Sequence, residues 1–350
     1  MWTTLIIFCI TLFLYIHIQH QYKSGEDLEI YEYDFTTAKD LQDIVHYKQP
    51  VLFPLDLPTV KHNTPVPTLQ VKDVRDYEKG SEIHNDPILL PYTNAKGLLD
   101  TDTKSIFYSN QNFDYVVDNS NWMEWFDIMD NYLKPSFCIH KQYDLIYGSH
   151  KTKIPTAYHR ESHVFLYLPP DTNSSHVQVK MTPWKSKSFL STVDDYVYYE
   201  SWSKQNLFDS QLDPRIRCLD FSLKPGHVLY LPPYWFYSIE FQDKQNEICK
   251  VIYTTGANYL ANVKHLAKYY LQQQNIQEKW LKPLMDSSNT DTSPLTKSSV
   301  PSSTQNVHNK EITVEEISGK HAKDIQLDLD SSGNSILEKA AQDILEELRE

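Results

Sequence analysis

The sequence predicts a mainly β body with flanking helices, a sandwich or barrel, behind one N-terminal membrane-spanning helix. Three observations carry that expectation. An almost unbroken apolar run, WTTLIIFCITLFLYIHI (Trp2–Ile18), opens the chain without Asp, Glu, Lys or Arg. Short β-branched and aromatic segments separated by turns fill the middle. Helical spacing occurs near the start and the end of that middle region. The chain thus divides into an anchor over 1–22, a globular unit over 28–285, a Ser/Thr-rich linker over 286–334 and an amphipathic helix over 335–350.

The opening run has no polar face, so it does not read as a core helix, and Trp2 and Tyr15 suit the two bilayer interfaces. No basic segment precedes it, and QHQYKSGED after it lacks a small-residue cleavage site. An uncleaved signal-anchor, single-pass, is therefore expected over a cleaved signal peptide. Its orientation stays open, because Lys23 is the only Lys or Arg near its C-terminal end. The sequon Asn173-Ser174-Ser175 would be used only if the body faced a lumen. Beyond the anchor, Cys138, Cys218 and Cys249 are odd in number and far apart, which favours free thiols.

In the body, TTAKDLQDIV (Thr36–Val45) has helical spacing and precedes KQPVLFP. HVQVKM (His176–Met181) alternates as a half-buried strand should. HVFLYL (His163–Leu168), HVLYL (His227–Leu231) and ICKVIYTT (Ile248–Thr255) have strand length and composition. Asn258–Gln274 returns to helical spacing. Beyond Asp286, DSSNTDTSPLTKSSVPSSTQNVHNK cannot bury a core and reads as a disordered tether. SILEKAAQDILEELRE (Ser335–Glu350) then sets Ile336, Leu337, Ile344, Leu345 and Leu348 on one helical face, which would either dock a protein partner or fold back on the body.

Composition excludes several function classes. Thirty-three basic residues against 46 acidic ones leave a net charge of −13, the wrong sign for a nucleic-acid partner. GxSxG, P-loop and GxGxxG patterns are absent, so hydrolase, NTPase and dinucleotide readings have no support. Trp184, Trp235 and Phe236 read as core residues, Cys218 and Cys249 as packing residues, and DDYVYYESWS (Asp194–Ser203) as a solvated strand or turn.

Among 14 histidines, the strongest local candidate for metal chemistry is His159-Arg160-Glu161. An imidazole and a carboxylate two apart on a strand share a face, and a distant His would complete a two-His-one-carboxylate iron site. The plainer reading is a surface ion pair.

The segment LKPGHVLYLPPYWFYSIEF (Leu223–Phe241) reads as turn, strand, Pro-Pro break, aromatic cluster and second strand. It resembles the late signature of the cupin-like, JmjC-related family: a Pro-Gly-Asp turn, an apolar strand ending in Pro, Trp-Trp-His, and a further strand. LQDIVHYKQPVLFP and VKMTPWKSKSFL resemble two other family segments, so the likeness spans roughly residues 28 to 275. It implies a double-stranded β-helix, that is, a jelly-roll barrel. In active members it implies Fe(II) held by His-x-Asp/Glu and a distal His, with 2-oxoglutarate and O₂ used to hydroxylate or demethylate a substrate.

Carried over by position, His159 and Glu161 align with His-x-Asp/Glu, and Tyr237 falls where the distal His belongs. His227 replaces the Asp of the turn, and Lys180 is the nearest candidate for holding the 2-oxoglutarate carboxylate. The cluster PPYWFYS resembles versions in large DNA viruses in which the complete triad is lost. The expected function is a membrane-anchored, non-catalytic binding or structural module, a pseudoenzyme with no cofactor. The alternative is an Fe(II)/2-oxoglutarate oxygenase whose third ligand is His163 or Tyr237. A third is an adaptor recruiting its partner through the C-terminal helix.

Overall fold

The computed structural model describes residues 2–58, 67–79, 87–170, 176–242 and 247–286. The sequon, the linker beyond Asp286 and the C-terminal amphipathic helix lie outside the described residues.

The apolar run forms α1 (Trp2–Gln21), all helix and without buried residues. At 1.5 Å per residue it is about 30 Å long, the thickness of a bilayer's hydrocarbon core, and it is long and apolar enough to cross a membrane. After the short β1 (Tyr31–Glu32), α2 (Ala38–Val45) forms where spacing predicts it. Thr37 caps it: its hydroxyl accepts from Asp40 N at 3.2 Å and donates to the Asp40 carboxylate at 2.7 Å. The elements β2 (Val51–Pro54), β3 (Thr68–Asp73), α3 (Arg75–Lys79), β4 (Ile88–Pro91), α4 (Tyr92–Thr101), β5 (Phe107–Ser109) and α5 (Phe113–Val117) follow. A helix that sequence periodicity did not single out, α6 (Ser120–Leu133), starts on the Asn119 cap and buries Trp122, Trp125, Phe126, Met129 and Leu133.

The second half supplies β6 (Cys138–Gly148), β7 (Ala157–Tyr158), β8 (His163–Leu168), β9 (Val177–Thr182), β10 (Thr192–Asp195) and β11 (Glu200–Ser203). Then come β12 (Leu219–Leu223), β13 (His227–Leu231), β14 (Phe236–Glu240) and β15 (Glu247–Thr255). The chain of described residues ends in α7 (Gly256–Ala261) and α8 (Val263–Asp286). The helix expected from Asn258 is thus two helices, broken where Asn262 bonds back to the carbonyls of Asn258 and Tyr259.

The larger sheet runs β1-β2-β13-β8-β15-β6-β5-β3-β4 and the smaller β10-β11-β7-β14-β9-β12. They are separate sheets, and among the described residues hydrogen bonding does not close them into one barrel. Alternation sorts their side chains. Phe165, Tyr167, Val228, Tyr230, Val251 and Tyr253 face outward from the larger sheet and pack with α2 and α6. Val164, Leu166, Leu229 and Ile248 face inward and meet Val177, Val179, Met181 and Ile239 of the smaller sheet. A third cluster, with Tyr158, Leu190, Leu207, Ile216 and Phe236, covers the smaller sheet's outer face.

The Lys224–His227 turn explains its sequence. His227 N donates to Lys224 O at 3.2 Å, Pro225 occupies the second position, and Gly226 has φ +76°, which a side chain would strain. Gly226 then bonds to both Leu168 and Leu55, fixing β8 and β2 beside β13.

Candidate functional site

The Pro232-Pro233 break ends β13 and turns the chain into the smaller sheet, with Tyr234 at φ +63°. Tyr234 N donates to His159 O at 2.8 Å, and Tyr237 pairs in register with Ala157. The PPYWFYS segment therefore places Tyr237 directly against the residue that follows β7. The two rings lie 24° apart in plane with centroids at 5.6 Å, and His159 Nε2 is 2.9 Å from the Tyr237 hydroxyl. On the other side of the ring, Nδ1 lies 3.7 Å from Glu161 Oε2. Glu161 also accepts from the backbone N–H of Arg160 at 3.2 Å.

The three residues that sequence aligned with a metal triad are therefore neighbours, at one end of the space between the sheets. Burial pushes the His159 imidazole below its ordinary pKa, and the nearby Lys250 cation adds to that. Burial also pushes the Tyr237 phenol up to about 12, so it stays protonated near neutrality. For Glu161, burial raises the carboxyl, but His159, backbone donation and Arg160 more than reverse it.

Two buried ion pairs back this group. Lys250 on β15 and Asp144 on β6 sit in register on the inward face, with Nζ 2.9 Å from Oδ2. Asp144 also accepts the backbone N–H groups of Gln111 and Asn112 at 3.0 and 2.7 Å. Burial opposes the Lys250 charge, and Asp144 more than compensates, leaving its pKa raised. Lys72 on β3 donates to Gln111 Oε1 at 2.7 Å and to Glu200 at 3.2 Å. Glu200 belongs to the run expected to be solvated. So does Asp194, which accepts from Arg160 and Tyr158 at 2.6 Å on the outer side of the smaller sheet. That run is a hairpin in which Glu200 pairs with Lys72 and Asp194, on the outer side, pairs with Arg160.

Two other candidates stand apart. Lys180 alternates with the inward-facing Val179 and Met181, so β9 carries it on the outer face, 3.6 Å from Asp220 and over the Phe208 ring. The sheet separates it from Tyr237. His163 shares the parity of Phe165 and Tyr167, bonds through Nδ1 with Ser162 Oγ at 2.8 Å, and is pushed down to about 4 by burial and Lys48. It also faces away from Glu161. His227 bonds with Pro225 O at 3.1 Å in its own turn.

The donor set does not fit Fe(II). His159 directs Nε2 to a phenol that stays protonated, and its Nδ1 lies 3.7 Å from Glu161 Oε2. A buried ammonium adds repulsion against a dication. Among the described residues no three His, Cys, Asp or Glu side chains converge as a metal would require.

Lys72, Asp144, Glu200 and Lys250 were missed by sequence reasoning. The signal available was a charge inside an apolar strand, Lys250 in ICKVIYTT and Asp144 in YDLIY. No family model and no curated protein matches the chain.

Proposed function

We propose that this chain is a single-pass, membrane-anchored binding or structural module. Its body is a double-stranded β-helix in which an internal polar network stands where related proteins hold iron. The fold reading is supported by the chain's path. From β6 to β9 successive strands alternate between the sheets, and from β12 to β15 they alternate again, with orders β13-β8-β15-β6 and β12-β9-β14-β7. The observation that carries the functional reading is the 2.9 Å hydrogen bond between Tyr237 OH and His159 Nε2, with Lys250 close behind it. What the arrangement does chemically is hold a neutral imidazole, a protonated phenol and a carboxylate in one orientation, which suits recognition more than bond-making.

The test is anaerobic Fe(II) titration of the detergent-solubilised full chain, with and without 2-oxoglutarate. The expected outcome is no saturable binding. One-to-one binding at micromolar iron, lost in His159→Ala, would replace this reading with the oxygenase alternative.

A further inference from the structure

The C-terminal end of α1 is built into the body. Lys48 Nζ donates to the carbonyls of His20 and Lys23, the latter at 3.0 Å, and so caps the helix. Tyr22 OH donates to Ala261 O at 2.5 Å, tying the exit of α1 to the end of α7. The rings of His20 and His46 stack at 4.5 Å, and Gly25 N donates to Lys48 O at 3.1 Å. A flexible tether would need none of these contacts.

Around this exit the surface is apolar and aromatic. Tyr47, beside the capping Lys48, is 75 % exposed, and Leu260, beside Ala261, is 51 % exposed. Tyr22 and Val263 are also exposed. Phe137, whose carbonyl accepts from Gly256 N at the start of α7, is 89 % exposed. Contiguous exposed apolar surface on a folded body marks an interaction site. Tyrosines mixed with aliphatic side chains and with the exposed Lys264, beside Val263, make the composition of a bilayer's headgroup zone.

We infer that this collar is seated in the headgroup region of a phospholipid bilayer, so that the body rests on the membrane that α1 crosses. The inference rests on the membrane-anchor reading. It also orients the candidate site: Asn258 of α7 donates to Arg160 O at 3.0 Å, so the His159 end of the sandwich is the end nearest the lipid. A ligand reaching His159, Glu161 and Tyr237 would approach along the membrane surface.

The full chain, reconstituted in phosphatidylcholine vesicles, tests this with an environment-sensitive fluorophore on single cysteines. The background is Cys9→Ser, Cys138→Ser and Cys218→Ser, with the fully buried Cys249 left in place and out of the label's reach; the reporters are Leu260→Cys, Trp2→Cys and Lys104→Cys. Lys104 marks the opposite end of the body, where Ser105 and His150 are bonded. The expected result is blue-shifted emission at position 260, quenched severalfold more by headgroup-region nitroxide lipids than at position 104. If position 260 behaves like 104 while position 2 is quenched by lipid nitroxides, the collar inference fails and the anchor stands. Emission that is blue-shifted at 260 but insensitive to lipid nitroxides means a second copy covers the collar, and also overturns it. If position 2 too is unquenched, the anchor reading itself is wrong.

Discussion

The two faces of the larger sheet each bury a polar node, and they manage it differently. On the outward face, Asp130 of α6 accepts from Lys141 at 2.7 Å, from Tyr143 at 2.8 Å and from Tyr253 at 2.7 Å. Lys141 is about a third exposed, so part of this node can fall back on water. On the inward face, Lys250 and Asp144 are 9 % and 5 % exposed and bond to each other, and Asp144 also accepts two backbone N–H groups. Neutral phenols and a half-solvated cation make a node that tolerates damage. A desolvated ion pair leaves a naked charge when either partner goes.

That contrast is tested most severely at Lys250. Lys250→Met is expected to cost about 3–5 kcal/mol in denaturant unfolding of the detergent-solubilised chain, because Asp144 stays buried and unpaired. Lys250→Met with Asp144→Asn should recover part of it, since the buried charge is gone while the single amide oxygen keeps one of the two backbone N–H groups. A double variant as unstable as the single one would contradict the charge argument.

The next largest effect is expected from acid at His163. Its folded pKa, about 4, lies below the ordinary 6.5, so the unfolded chain binds the proton more readily. The contribution is present in full above pH 6.5 and is lost as pH falls towards 4, by up to about 3 kcal/mol. Unfolding midpoints measured across that window should fall in the native chain and flatten in His163→Asn. Equal slopes would place the acid sensitivity elsewhere.

Asp130→Ala on the outward face should cost about 2 kcal/mol, the loss of an acceptor for two buried tyrosines, Tyr143 and Tyr253. A loss as large as that of Lys250→Met would erase the difference between the faces. The smallest change is expected at Tyr237→Phe, about 1 kcal/mol or less, since the imidazole it leaves is neutral and near the mouth. Its sharper readout is nuclear magnetic resonance of the His159 ring, whose Nε2 shift should move while the Lys250–Asp144 pair is undisturbed.

Much of this architecture is legible in order along the chain. The runs at His163–Leu168 and His227–Leu231 are strands over those same residues, and Thr36–Val45 contains α2, because local periodicity and capping chemistry act over a few residues. His159 and Glu161 stand out by their spacing, and Tyr237 by its place after the Trp235-Phe236 pair. The polar network does not stand out. Lys72, Asp144, Glu200 and Lys250 come from four strands and have no common spacing. Likewise α6 is so aromatic that its two faces differ little until α2 and the sheet cover one of them.

The amino-acid sequence by itself therefore determined the apolar helix, the strand-rich body and the juxtaposition of turn, strand and Pro-Pro break that leads into Tyr237. Only the tertiary structure decided what that phenol meets, which lysine lies behind it, and that Lys180 and His163 face elsewhere. The physical reason is the two-residue period of a strand: it assigns a side chain to a face. Which groups share that face depends on register with strands many residues away.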